Sequence, residues 1–207
     1  MASHGEHVFD QSGGHLALDF VNTVGGMRGL KPNEHLHGYS DLLAFGRQTG
    51  VLGEREAARL AQEARRRPAE AEAALSSAIA LREALYRVFL DRAGGRRPRP
   101  ADLDALNAAL PRALAHRRVV ERGGVVVLGW EDAPALDAML WPVVDAAAGL
   151  FADPGAQVRV CGMYETDECS WLFVDRTKAR TRRWCSMKDC GNRAKARRHH
   201  QRVKGGA

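Results

Sequence analysis

The chain has 207 residues, 45% hydrophobic and 27% charged, with a formal net charge of +6. That balance suits a soluble globular protein with one sizeable core, and no apolar run approaches the ~18 residues of a membrane-spanning helix. The opening MASHGEHVFDQSGGH lacks the basic start and apolar stretch of a secretory signal, so the expectation is a cytoplasmic protein with reduced thiols.

The first forty residues show little regular patterning, although HLALDFVNTVGG (15–26) alternates enough for a strand or a short helix. SDLLAFGRQTGVL predicts a helix from an N-cap at Ser40 to Gly50, and Gly53–Arg67 predicts a second one ending in a basic turn before Pro68. The longest helix follows, with Leu75, Ile79, Leu81, Leu85, Val88 and Phe89 forming an apolar stripe that Gly94-Gly95 ends. After the RRPRP linker, Leu103, Leu106, Leu110 and Leu114 mark another helix, which Pro111 should kink. Two β-branched runs around Gly123-Gly124 read as a hairpin. A helix through PALDAMLWPVVDAAAGLFAD then carries Leu136, Met139, Leu140, Val143 and Leu150, with a second expected kink at Pro142. QVRVC and SWLFVD read as two short strands leading into a basic tail.

Residues 156–207 hold 13 of the 31 Lys and Arg, 5 of the 25 acids and all four cysteines. Charge and cysteine content change together near Pro154-Gly155, so two domains are expected, over 1–155 and 156–207. The cysteines run Cys161-x7-Cys169-x15-Cys185-x4-Cys190. Two pairs joined by a mid-length spacer suit a four-thiolate zinc site, because each pair forms a turn and the spacer folds the turns together. The x7 and x4 gaps are wider than usual, which leaves His199 or His200 open as a substitute for Cys161. A unit this small buries too little apolar surface to fold without its metal. Cys185→Ser or Cys190→Ser is therefore expected to unfold this module and leave the helical domain cooperative.

From Arg176 to Lys204 there are twelve Lys and Arg and one acid, Asp189. Gly191 and Asn192 suggest a turn and an N-cap for a helix over RAKARRHHQRV. On that helix Lys195, Arg198 and Arg202 share one face, and Arg193 and Arg197 a neighbouring one. With no apolar stripe to bury, and with Trp184 and Met187 as the only hydrophobic anchor, the segment is expected to meet phosphates, DNA first. One short helix binds weakly, so a homodimer formed through the larger domain would help.

CSWLFVDRTKARTRRWCSMKDCGNRAKARRHHQR resembles the CGNR zinc finger, through C-x-WLF-x-D, the RRWCSM box and Cys190-Gly191-Asn192-Arg193. In that family the finger closes bacterial proteins whose N-terminal ABATE domain begins with an LDFVNT-like signature, here Leu18–Thr23. The resemblance implies a stress-induced transcription regulator that binds DNA. It carries Zn2+ ligation onto Cys161, Cys169, Cys185 and Cys190, and basic contacts onto Arg182, Arg183, Arg193 and Lys195. The longer Cys161–Cys169 gap departs from the family pattern.

Asp19, Asn22, Thr23 and Arg28 are candidates for orienting a small-molecule effector, against the plainer reading of local capping and turn bonds. No nucleophile–base set, phosphate-cradling loop or carboxylate pair stands out, so an enzyme is not expected. The fold class expected is α+β and mostly helical: a helical N-terminal domain with a small β-hairpin, then a treble-clef or ribbon-like zinc module ending in a basic helix. The alternatives are an RNA-binding zinc protein, or an enzymatic N-terminal domain with a purely structural zinc module.

Overall fold

The computed structural model describes residues 7–205. Its elements run α1 (Leu16–Val21), β1 (Val24–Met27), β2 (Lys31–Glu34), α2 (Tyr39–Gln48), α3 (Glu54–Arg66), α4 (Pro68–Ala93), α5 (Pro100–Leu114), β3 (Arg117–Arg122), β4 (Val125–Trp130), α6 (Leu140–Ala152), β5 (Val158–Val160), β6 (Leu172–Val174) and α7 (Asn192–Gly205). Three antiparallel two-stranded sheets form from neighbouring strands, β1–β2, β3–β4 and β5–β6. The α+β, mostly helical class read from the sequence is the one observed, with a cysteine-rich module ending in a basic helix.

The short helix α1 lies at the centre. Ala17, Leu18, Phe20 and Val21 are all fully buried, packed against α4 and α6. Its start is capped by the His15 ring, which accepts from the Ala17 N–H. The long helix α4 lays Leu75, Ala78, Leu85 and Phe89 into the same core at the expected three- and four-residue spacing. It begins at Pro68, whose missing N–H costs nothing in a first turn. The helix expected from Ser40 instead takes Gly38 as its N-cap, with the Asp41 carboxylate accepting from the His37 and Gly38 N–H groups.

The α5 helix carries Pro111 in its interior, as expected, and one expectation about proline changes. The last long helix begins at Leu140 rather than near Pro134, which puts Pro142 in its first turn, where no intrahelical partner is lost. The Gly123-Gly124 turn is as expected: both glycines have positive φ, 60° and 83°, which a tight hairpin demands. The β1–β2 hairpin was not foreseen, since Gly25, Gly26 and Pro32 are poor strand formers.

Strand β6 joins the two parts of the molecule. Alternation along a strand sends Leu172 and Val174 one way and Phe173 the other. Leu172 and Val174, with Val158 of β5, belong to the main hydrophobic core. Phe173 packs with the four cysteines and Met163 in a separate small cluster.

Candidate metal centre and basic surface

Each cysteine sits at the end of a short, hydrogen-bonded segment. Cys161 follows β5, and its N–H donates to the Trp171 carbonyl at 2.9 Å. The seven residues before Cys169 are taken up by a single 3-10 turn, Tyr164–Thr166, and by Asp167 in the left-handed region at φ 55°. The wide spacing that set Cys161 apart in the sequence is thus absorbed locally. Cys185 stands just before a single wide π-type turn, Met187–Gly191, and Cys190 within it, and the turn runs straight into α7. Asn192 is not the expected N-cap. The helix is continuous with the turn, and the Asn192 amide donates back to the Lys188 carbonyl at 3.0 Å.

All four sulfurs are buried and lie within 4.8 Å of one another. Cys169 Sγ is 3.8 Å from Cys185 Sγ, which is 3.5 Å from Cys190 Sγ. A tetrahedral ion about 2.3 Å from each of four sulfurs sets them roughly 3.8 Å apart, so the donor set fits zinc. The site needs no histidine; His199 and His200 are exposed on α7. Crowding makes the thiols unequal. Hydrogen bonding from the Cys169 thiol holds Cys161 far below the usual thiol range, while Cys169 and Cys185 are driven up by bonding to Cys161. A bound metal would have to displace the protons that Cys169 and Cys185 hold, because its ligands bind as thiolates.

The seven basic residues singled out in the sequence divide into three kinds. Arg182 serves structure: its guanidinium donates to the carbonyls of Ser12 (2.7 Å), Trp184 (2.9 Å) and Cys185, and lies over the Phe173 ring at 4.4 Å. Arg193 and Arg197 face the metal centre. Arg193 donates to Cys190 Sγ at 3.0 Å and pairs with Glu168 and Asp189, and Arg197 also pairs with Glu168. An arginine on a ligand sulfur offsets the negative charge that four thiolates bring to a divalent ion. Arg183, Lys195, Arg198 and Arg202 are exposed. The last three have no acidic partner among the described residues, and at spacings of three and four they share one helical face.

The four residues considered for an effector are turned into the protein. Asn22, 2% exposed, closes a two-way bond with β6: its amide donates to the Leu172 carbonyl at 2.8 Å and its oxygen accepts from the Leu172 N–H at 3.0 Å. Thr23 donates to the Phe20 carbonyl and accepts from the buried Arg82. Arg28 pairs with Glu83, donates to the Val21 carbonyl and lies over Tyr86. These contacts use the polar groups structurally instead of presenting them to a ligand. The seam continues around them, with Trp171 Nε1 donating to the Val24 carbonyl at 2.7 Å and the Ser170 N–H to the Gly26 carbonyl at 2.9 Å.

A family model described as "Putative stress-induced transcription regulator", ABATE, matches residues 14–154, and the CGNR zinc finger model matches residues 157–203. The chain belongs to the ABATE family. No curated protein matches it. The LDFVNT signature of the ABATE part is therefore central helix α1 together with the residues that grip the CGNR finger.

Asp19, at 7% exposure, is the unusual member of that signature. Its Oδ1 has no hydrogen-bond partner, and burial pushes its carboxyl up to about 7, against the backbone N–H groups of Gly13 and Gly14 that favour the charged form. A Cβ on Gly13 would stand 2.7 Å from Asp19 Oδ1, so a larger residue there would have to displace the carboxyl group. Because the folded chain holds this proton more tightly than the unfolded one, the group's stabilising contribution is greatest in acid and is lost as pH rises from about 4 to about 7. Asp19→Asn should therefore gain on the parent across that interval, by up to about 4 kcal/mol, with no further gain above it. Denaturant titrations of both proteins at several pH values check this, because pH effects on the thiols cancel in the comparison. A gap that does not change with pH contradicts it.

Proposed function

We propose that this ABATE–CGNR protein is a DNA-binding transcription regulator in which one zinc ion, held by Cys161, Cys169, Cys185 and Cys190, aims helix α7 at the phosphate backbone. The observation that carries this reading is the division of labour along α7. Arg193 and Arg197 are spent on Glu168 and the metal centre, whereas Lys195, Arg198 and Arg202 are exposed and have no acidic partner among the described residues. Cations left unneutralised on one face of a rigidly held helix are what a polyanion selects. In this reading the chain is not an enzyme, and it works in the cytoplasm, where its thiols stay reduced. An effector would bind away from the LDFVNT signature, in the cleft of about 720 Å³ between α2 and α3, where His7, His35 and His37 meet Leu43, Ala57 and Ala61.

Replacing Lys195, Arg198 and Arg202 together with Ala should weaken DNA binding at least about tenfold and flatten its salt dependence by two to three contacts' worth, roughly 0.9 per phosphate contact. Zinc content and folding should be untouched. Fluorescence anisotropy at several salt concentrations reads both quantities. Unchanged affinity and slope would place the contact surface elsewhere. Tighter binding to RNA of matched sequence would turn the reading toward an RNA-binding zinc protein.

A further inference from the structure

The β3–β4 hairpin is the most exposed apolar feature outside the finger. Its base is fastened: Arg117 lies over Trp130 at 4.2 Å and pairs with Asp145, Arg118 pairs with Glu131, and Trp130 packs near Trp141. Beyond the base the hairpin carries bare apolar side chains. Register places Val119 opposite Leu128 and Glu121 opposite Val126, so Val119, Val126 and Leu128 share one face. They are 72%, 70% and 60% exposed, and Val125 and Val127 are also exposed. The sheet has only these two strands, and an isolated hairpin is marginal in water.

The two edges differ. β3 reads RRVVER, with four charges in six residues, which is how exposed edges resist pairing. β4 reads VVVLGW, with none. A continuous apolar run is the composition of a strand covered on both sides. We infer that β4 pairs antiparallel with β4 of a second copy of this chain, making a four-stranded sheet across a two-fold axis. A charge-free strand has nothing with which to select a charged partner, and it meets its own copy without like-charge repulsion. About such an axis each face of one hairpin continues into the same face of the other, so Val126 and Leu128 of the two copies meet across the seam on one face, with Val125 and Val127 on the opposite face. Pairing would also set two α7 helices in one particle, but the inference holds whether or not the finger binds DNA, since association is read without nucleic acid.

Sedimentation equilibrium of the zinc-loaded full chain tests it. The parent should be a dimer at micromolar concentration. Val126→Lys with Leu128→Lys should be a monomer with parental zinc content and circular dichroism. Should the lysine pair unfold the chain, Val126→Thr with Leu128→Thr keeps strand-compatible residues and should still weaken the dimer at least about tenfold. A monomeric parent overturns the inference and leaves the hairpin to a different protein. A dimer unaffected by whichever of these variants folds also overturns it.

Discussion

Removing the metal from this protein should melt the helical domain together with the finger, in one transition. The sequence alone suggests the opposite, a small metal-dependent module beside an independent helical body. The structure couples them, because β5 and β6 give Val158, Leu172 and Val174 to the main core. If the finger unfolds, those three side chains leave that core, at a cost to the helical domain on the order of 5 kcal/mol. That is a large fraction of the stability of a typical domain. Cys190→Ser, or a chelator acting on the parent, removes a ligand that structural zinc sites cannot spare. Thermal melts followed by far-ultraviolet circular dichroism should show the whole helical signal moving to lower temperature as a single step. A biphasic melt whose major step stays at the parental temperature would contradict this.

The second large effect belongs to Asn22. Among the described residues its carboxamide is the only partner of the Leu172 N–H and carbonyl, so Asn22→Ala strands both in a buried seam. Each unpaired buried group costs about 1–3 kcal/mol, so the loss should be about 2–6 kcal/mol. Asn22→Asp should do no better, since a second carboxylate oxygen would face the Leu172 carbonyl where an N–H is needed. Zinc content should remain at the parental level, which separates damage at the seam from damage at the metal. Chemical denaturation with parallel metal analysis gives both numbers. A variant within about 0.5 kcal/mol of the parent would mean the seam carries no weight.

Why Asn22 escaped the sequence reading is instructive. In LDFVNTVGG an Asn beside a Thr suits local turn and capping bonds, and Thr23 does bond locally to the Phe20 carbonyl. Asn22 instead finds a partner 150 positions away, and no local pattern encodes such a pairing. Arg182 was opaque for a similar reason. Within a basic run all charges look alike, and only the fold brings the Ser12 carbonyl to this one. Pro142 misled because a proline inside an apolar pattern signals a kink, while its position relative to the helix start, which decides the matter, depends on packing before Leu140. What was legible rested on strong local signals: the leucine-rich stripe of α4, the paired glycines of the β3–β4 turn, and four thiols in two spaced pairs. The two faces of α7 were also legible, because helical spacing alone separates Lys195, Arg198 and Arg202 from Arg193 and Arg197. Their different tasks were not, because the acid that neutralises the second pair, Glu168, lies in the turn before Cys169.

The finger is therefore better seen as a rigid extension of the ABATE domain than as a tethered module. Three carbonyls hold Arg182, one carboxamide holds β6, and the four-cysteine cluster gathers the root of α7. Such a mount fixes the direction of the helix, so under the proposed function loss of the ion should abolish DNA binding by unfolding the mount, even though no cation on α7 has been altered.

The most direct measurement is a titration of labelled duplex DNA at low salt with the same preparation in three states: zinc-loaded, chelator-stripped, and reloaded with one equivalent of zinc. The account expects binding in the first, its loss in the second and its return in the third. Equal binding by the stripped protein, or no binding by the loaded one, would contradict it.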